Sequence, residues 1–265
     1  LDAEAAHRQP GLAKRPPMPD LDWLDGLETL PEDLPRFYAL LLWSLHNRLG
    51  GIHWDDLYRP LLGLLTVAVR QLTGRQFRAF GEISPDEAAV DGALARLQFF
   101  LDGDETIGFR LHHTAMADFL ADASTEHTDP ALHCNKREWH SRLAEHAIRV
   151  HHKDATWRDA DPYLQAWLPF HAAEAGRLDD LVNDPRYLLA ADPDVLVPEL
   201  GAAGRSAAAA LAYQQVVPMI RAGDLADARA HLKLYAEQAQ LAEFAAKVPM
   251  DPATSPWLID FTQWE

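Results

Sequence analysis

Thirteen histidines and a single cysteine are the side chains of this sequence best suited to chemistry, so their spacing decides which chemistry is open. Zinc sites on helices use histidines at i and i+4 with an acid nearby, or Cys-x-x-Cys pairs. Among His112, His113, His133, His140, His146, His151, His152 and His171, none stands four from another. The run His151-His152-Lys153-Asp154 has the residue types of a metal phosphohydrolase pair, but its histidines and aspartate are not adjacent. No metal site is expected, and most of these histidines are expected on helix surfaces. Cys134 beside His133 has the types of a nucleophile and its base, yet sequence neighbours seldom face each other, so an inert thiol is expected. The acidic runs Asp179-Asp180 and Asp102 to Glu105 are solvated charge. A glycine-rich turn ending in Gly-Lys-Ser/Thr, which cradles phosphates, is missing, so nucleotide hydrolysis cannot reside in this chain alone. The chain is not expected to be an enzyme.

The one histidine with a distinctive setting is His113. Ile107, Phe109 and Leu111 alternate with Gly108, Arg110 and His112, the period of a strand. Met116, Phe119 and Leu120 then fall at i, i+3 and i+4, the stripe of a helix, with Asp118 near its positive start. His113 sits at the switch and continues the apolar side, which predicts an inward ring beside a helix N-terminus where an anion could be held. The ordinary alternative is a buried ring satisfied by a backbone carbonyl.

The elements that would position it are marked by punctuation and stripe. Residues 1–30, centred on Lys14-Arg15-Pro16-Pro17-Met18-Pro19, read as a linker, with Trp23, Leu24 and Leu27 packing back on the helical unit C-terminal to them. Pro31 opens a helix with Leu34, Phe37, Tyr38, Leu41, Leu42 and Leu45 on one face, ended by Gly50-Gly51. The segment from Leu61 to Val69 is apolar nearly all round, as a central helix is. Thr73 to Gln76 and Ser84-Pro85-Asp86-Glu87 read as capping boxes, the second with Ser84 as N-cap. Phe99-Phe100-Leu101 and Ile107 to Leu111 flank Asp102-Gly103, a hairpin turn signal. Helices followed by such a pair make a winged helix-turn-helix over residues 31–123.

Residues 124–135 read as a polar connection. Beyond them Trp139, Leu143, Ala147 and Val150 mark one helix stripe. Asp161-Pro162, Asp184-Pro185, Asp192-Pro193 and Asp251-Pro252 repeat one device, Asp as N-cap and Pro as first residue. Gly176 caps the helix that Pro169 should bend or shorten. A helical hairpin breaks at Gly223-Asp224. Residues 136–250 are thus expected as an irregular, solenoid-like helical array and 251–265 as an exit segment. The fold class is mainly α.

Bulk properties narrow the partners. A net charge of -16 repels phosphate backbones, and the helix in the recognition position carries Asp86, Glu87 and Asp91 against Arg96. Nucleic acid is not expected as a partner, and a DNA-binding regulator is the least favoured class. No apolar run reaches the ~18 residues of a membrane span. One cysteine suits a reducing, cytoplasmic setting. The sequence opens on Leu1 with no signal peptide behind it, and is read as a piece of a longer chain.

The stretch His113-Thr114-Ala115-Met116-Ala117-Asp118-Phe119-Leu120 resembles the winged-helix segment of the NACHT group of STAND signalling ATPases, with Ala115 for the usual Ser and Met116 for Phe. The resemblance implies that His113 reaches the β-phosphate of ADP and holds the resting state, with Asp118, Phe119 and Leu120 as its frame. Trp157, Asp161 to Leu164, His171-Ala172-Ala173-Glu174-Ala175-Gly176-Arg177-Leu178, Leu181, Asp184-Pro185, Tyr187-Leu188 and Ala191-Asp192-Pro193 resemble the region joining the ATPase to a WD-repeat propeller in actinobacterial members. Pro256-Trp257-Leu258-Ile259 would enter the propeller. The resemblance implies a non-catalytic regulatory and connecting module, ADP or ATP with Mg bound through the adjacent ATPase, both neighbouring modules in the same polypeptide, and oligomerisation on activation as an option. The rival class is a free-standing helical scaffold for a protein partner.

Overall fold

The computed structural model describes residues 34–49, 53–152 and 157–250. Pro31, Gly50-Gly51, Lys153-Asp154, Asp251-Pro252 and the flanking segments 1–30 and 251–265, with the expectations placed on them, lie outside the described residues. The architecture is mainly helical with one small antiparallel sheet.

Helix α1 (Leu34–Arg48) lays Tyr38, Leu41 and Leu42 on the core. A wide π turn, Trp54–Tyr58, leads into α2 (Arg59–Val67). Every residue from Pro60 to Val67 is buried, as its lack of charge requires, and the hydroxyl of Thr66 is satisfied by the carbonyl of Leu62 at 2.7 Å. The capping box at Thr73 and Gln76 forms and opens α3 (Gly74–Phe80). Helix α4 (Glu87–Leu97) is capped by Asp86, whose carboxylate accepts from the N–H of Ala89, and not by Ser84. The chain between α3 and α4 is still turning to bury Ile83, with Glu82 at φ 51, so the helix starts two residues later than the Ser-Pro signal predicts.

Strands β1 (Leu101–Asp104) and β2 (Gly108–Leu111) pair with Asp102 opposite Arg110 and Gly103 opposite Phe109. Asp102-Gly103 is therefore strand, not turn. The turn is made at Asp104, whose carboxylate accepts from the N–H groups of Thr106 and Ile107 at 2.7 and 3.0 Å. Gly103 (φ 115) is needed for close approach, since a Cβ there would lie 2.0 Å from the carbonyl oxygen of Gly108. On its other edge β2 exchanges two hydrogen bonds with Leu72, between Phe109 and Leu72 at 2.8 and 3.0 Å.

Helix α5 (Thr114–Ala121) packs on α1 and α2. The expected polar connection contains a further helix, α6 (Ala123–Thr128), capped by Asp122. It is followed by Leu132 and Cys134, both buried. The indole N–H of Trp54 donates to the carbonyl of Ala131 at 2.8 Å, tying the segment down.

The array begins with α7 (Lys136–His151) and α8 (Pro162–Ala175), which pack on each other. Val150 of the predicted stripe is exposed, and the buried face runs through His140, Ala144, Ala147 and His151 as well as Trp139 and Leu143. Asp161 and Gly176 cap α8 as expected, and the helix continues through Pro169 to its full 14 residues. Short helices α9 (Leu178–Val182), α10 (Pro185–Leu188) and α11 (Pro193–Leu196) come next, the last two capped by Asp184 and Asp192. Helices α12 (Ala207–Ala222) and α13 (Leu225–Gln238) form the hairpin, turned by Gly223 at φ 79, and α14 (Ala242–Lys247) packs on α13. Among the described residues, buried side chains from Tyr38 to Val248 form one apolar core. Gly63 of α2 admits the Trp139 ring of α7 at the join between its two halves.

Candidate functional site

His113 is the N-cap residue of α5, in extended backbone (φ -123, ψ 133), where β2 has ended at Leu111. Its side chain caps no amide of the helix, and its carbonyl accepts from the N–H of Met116 at 3.1 Å. The ring is exposed, contrary to the inward orientation predicted from the strand pattern. The alternation stops at Leu111 because His112 bends the chain, so the parity that carried Phe109 inward does not extend to His113. Met116, 1% exposed, takes the inward place one turn later.

His113 instead lines the mouth of a cleft of about 370 Å³ with Phe37 and Tyr38 of α1, Phe99 and Phe100 ahead of β1, His112 and Met116. The Phe99 ring stands edge-on to Phe37 and Phe100, at centroid distances of 6.0 and 5.5 Å. The His112 and His113 rings meet at 4.5 Å and 74°. Beside them Arg110 donates from Nε and Nη2 to Asp102 across the hairpin. That pairing, with the nearby His112, holds the Asp102 carboxyl below its ordinary value. The site can therefore offer an imidazole donor and a helix N-terminus to an anion, with aromatic walls beside them.

The predicted frame of His113 divides. Leu120 is fully buried and Phe119 packs half-buried on Tyr38, whereas Asp118 lies on the surface and pairs with Lys136 at 3.3 Å. Asp118 stands beyond the first turn of α5, which holds no acid. On α4, Glu87 and Arg96 are exposed, and the Arg96 guanidinium donates back to the carbonyl of Gly92 at 3.2 Å.

Comparison with family models, curated proteins and solved structures found no match.

Three of the eight candidate histidines, His140, His151 and His171, are buried instead of lying on helix surfaces. His140 and His171 face each other, Nδ1 to Nδ1, at 2.7 Å, and Nε2 of His171 meets the hydroxyl of Tyr163 at 2.9 Å. Asp184, also buried, accepts from the Trp157 indole and the His152 ring, both at 2.9 Å. A signal for the first pair exists in the sequence. His140 shares the spacing of Ala144 and Ala147, and His171 that of Leu164, Leu168 and Ala175, so each falls on a core stripe. Nothing local pairs His152 with Asp184. Cys134 is buried, and burial pushes its thiol up to about 12. Among the described residues, no three His, Cys, Asp or Glu side chains gather as a metal requires, and no helix is long and apolar enough to cross a membrane.

Proposed function

We propose that this chain is a non-catalytic regulatory and connecting module of a NACHT-type STAND ATPase, in which a winged-helix unit presents His113 to the β-phosphate of ADP held by an adjacent ATPase module. The observation carrying this reading is the exposure of the His113 ring at the mouth of the cleft, where β2 turns into α5. A histidine placed to leave the chain and meet a ligand from outside must be exposed there. The element order supports the winged-helix part. Helix α2, the bridging residue Leu72, α3, α4, β1 and β2 succeed one another in sequence, with β2 hydrogen-bonded between Leu72 and β1.

An exposed imidazole at a helix N-terminus fits a phosphate, which gains from a charge-assisted hydrogen bond when the ring is protonated. His113 and the first turn of α5 would hold the nucleotide from this side. The ATPase module would supply the remaining contacts and the Mg ion. The array would carry movement toward a WD-repeat propeller in the same polypeptide, and this chain performs no hydrolysis.

The test is the nucleotide content of the protein expressed from its complete open reading frame. Removing one charge-assisted contact by His113→Ala is expected to lower retained ADP about tenfold and raise basal signalling. Unchanged ADP and unchanged signalling, or a reading frame encoding no P-loop ATPase, would overturn the reading in favour of a free-standing scaffold. Salt-sensitive retention on duplex DNA would overturn it in favour of a DNA-binding regulator.

A further inference from the structure

Four polar groups from two halves of the molecule bond in series inside the apolar core. The backbone N–H of Val69, in the bend between α2 and Leu72, donates to the Tyr163 hydroxyl oxygen of α8 at 3.1 Å. Tyr163 meets Nε2 of His171 at 2.9 Å, and Nδ1 of His171 meets Nδ1 of His140 on α7 at 2.7 Å. The three side chains are 6%, 0% and 5% exposed, walled by Phe80 against Tyr163 and Phe170 against His140.

Proton placement in this series is constrained. Tyr163 accepts from Val69, so its own O–H can donate to Nε2 of His171. His171 then donates from Nδ1 to His140, whose proton lies on Nε2. The reverse order, from His140 through His171 to the Tyr163 oxygen, leaves the tyrosine hydrogen without its acceptor. Either way a single hydrogen fits between the two Nδ1 atoms. An added proton either orphans the Tyr163 hydrogen or sets N–H against N–H, and it leaves a cation in the core.

We propose that Tyr163, oriented within the array by the neutral His171–His140 pair, is a polar latch that fixes the angle at which the helical array sits on the hairpin-bearing unit through its bond to Val69. Apolar contact has no direction and lets packed helices slide, but this series is satisfied in one arrangement alone. The groups bearing on it agree with a neutral resting state. Burial holds both histidines below their ordinary value; Glu174 of α8 favours a charge on His140, and Lys136 of α7 opposes it. Val69 and Phe80, on the facing elements, bring no charge. The latch stands independently of any nucleotide.

The experiment uses the full chain with spin labels at Glu105→Cys, in the hairpin turn, and Gln238→Cys, at the end of α13. A single narrow distance distribution is expected at neutral pH, and a broadened or shifted one in Tyr163→Phe. Val69 amide exchange should rise about tenfold in that variant, while the Ala68 amide, bonded to Leu64 within α2, keeps its rate. Unchanged distances and unchanged Val69 exchange in a folded Tyr163→Phe chain would overturn the proposal. Should that variant fail to fold, histidine nitrogen spectra of the unaltered chain decide. A neutral His171 with one fixed tautomer down to about pH 5 supports the latch, and ordinary imidazole titration of both rings overturns it.

Discussion

Gln76 Nε2 donates to Asp161 Oδ1 at 2.8 Å, joining the capping box of α3 to the N-cap of α8 across 85 residues. The same oxygen accepts from the N–H of Tyr163 at 2.8 Å, and Oε1 of Gln76 accepts from the N–H of Thr73 at 2.9 Å. Two helix starts are thus one hydrogen-bonded unit. The cap that orders Tyr163 is tied to α3, whose Phe80 ring packs on the tyrosine.

Gln76→Glu separates the two roles of this side chain. A carboxylate still accepts from Thr73 but faces Asp161 with like charge and no donor. Equilibrium urea unfolding at neutral pH should show a loss of about 1–2 kcal/mol, recovered in part on acidification. An unchanged midpoint would mean that the link between the caps contributes nothing.

Gly63→Ala tests the join between α2 and α7. Its methyl would fall 1.9 Å from Cε2 of Trp139, so the ring must leave its place. Overpacking at about 1–3 kcal/mol should outweigh the ~1 kcal/mol that alanine gains over glycine in a helix. A double-mutant cycle with Trp139→Leu should recover much of the loss. A Gly63→Ala chain more stable than the original would place Trp139 elsewhere.

Acid should destabilise the fold through His171. Burial, with His140 beside it, lowers this ring from 6.5 to about 3. The unfolded chain therefore binds the proton first. The stability this ring contributes is complete above pH 6.5 and is lost progressively as pH falls from there toward 3. Between about pH 6.5 and pH 5, where few carboxylates titrate, the slope of unfolding free energy should be shallower in His171→Gln than in the unaltered chain. Equal slopes would show that His171 is not held neutral.

Cys134 should resist alkylation. Its thiol, raised to about 12 by burial, carries almost no thiolate at neutral pH, and its Sγ contacts the carbonyl of Leu132 at 3.6 Å. Iodoacetamide should label the folded chain at least ~100-fold more slowly than the urea-unfolded one. Comparable rates would reopen a nucleophilic role.

Much of the fold is legible because it is written over distances of a few residues. Asp161-Pro162, Asp184-Pro185 and Asp192-Pro193 start helices where they stand, since a carboxylate reaches the amides just beyond it. Gly176 and Gly223 stop them because glycine takes positive φ without strain. Where two local signals compete, packing chooses between them. Ser84 loses to Asp86, and Asp102-Gly103 loses the turn to Asp104, because burying Ile83 and pairing Gly103 with Phe109 set the phase.

The sequence by itself determined that the chain is mainly helical, acidic, punctuated by Asp-Pro starts and supplied with a β-hairpin. Those properties depend on composition and on neighbours within a turn. Tertiary structure alone decided that His113 faces outward, that His140 and His171 share a hydrogen, and that Asp184 receives His152. Each of these depends on which side of one element meets another far along the chain, and that is settled only by packing the whole core at once.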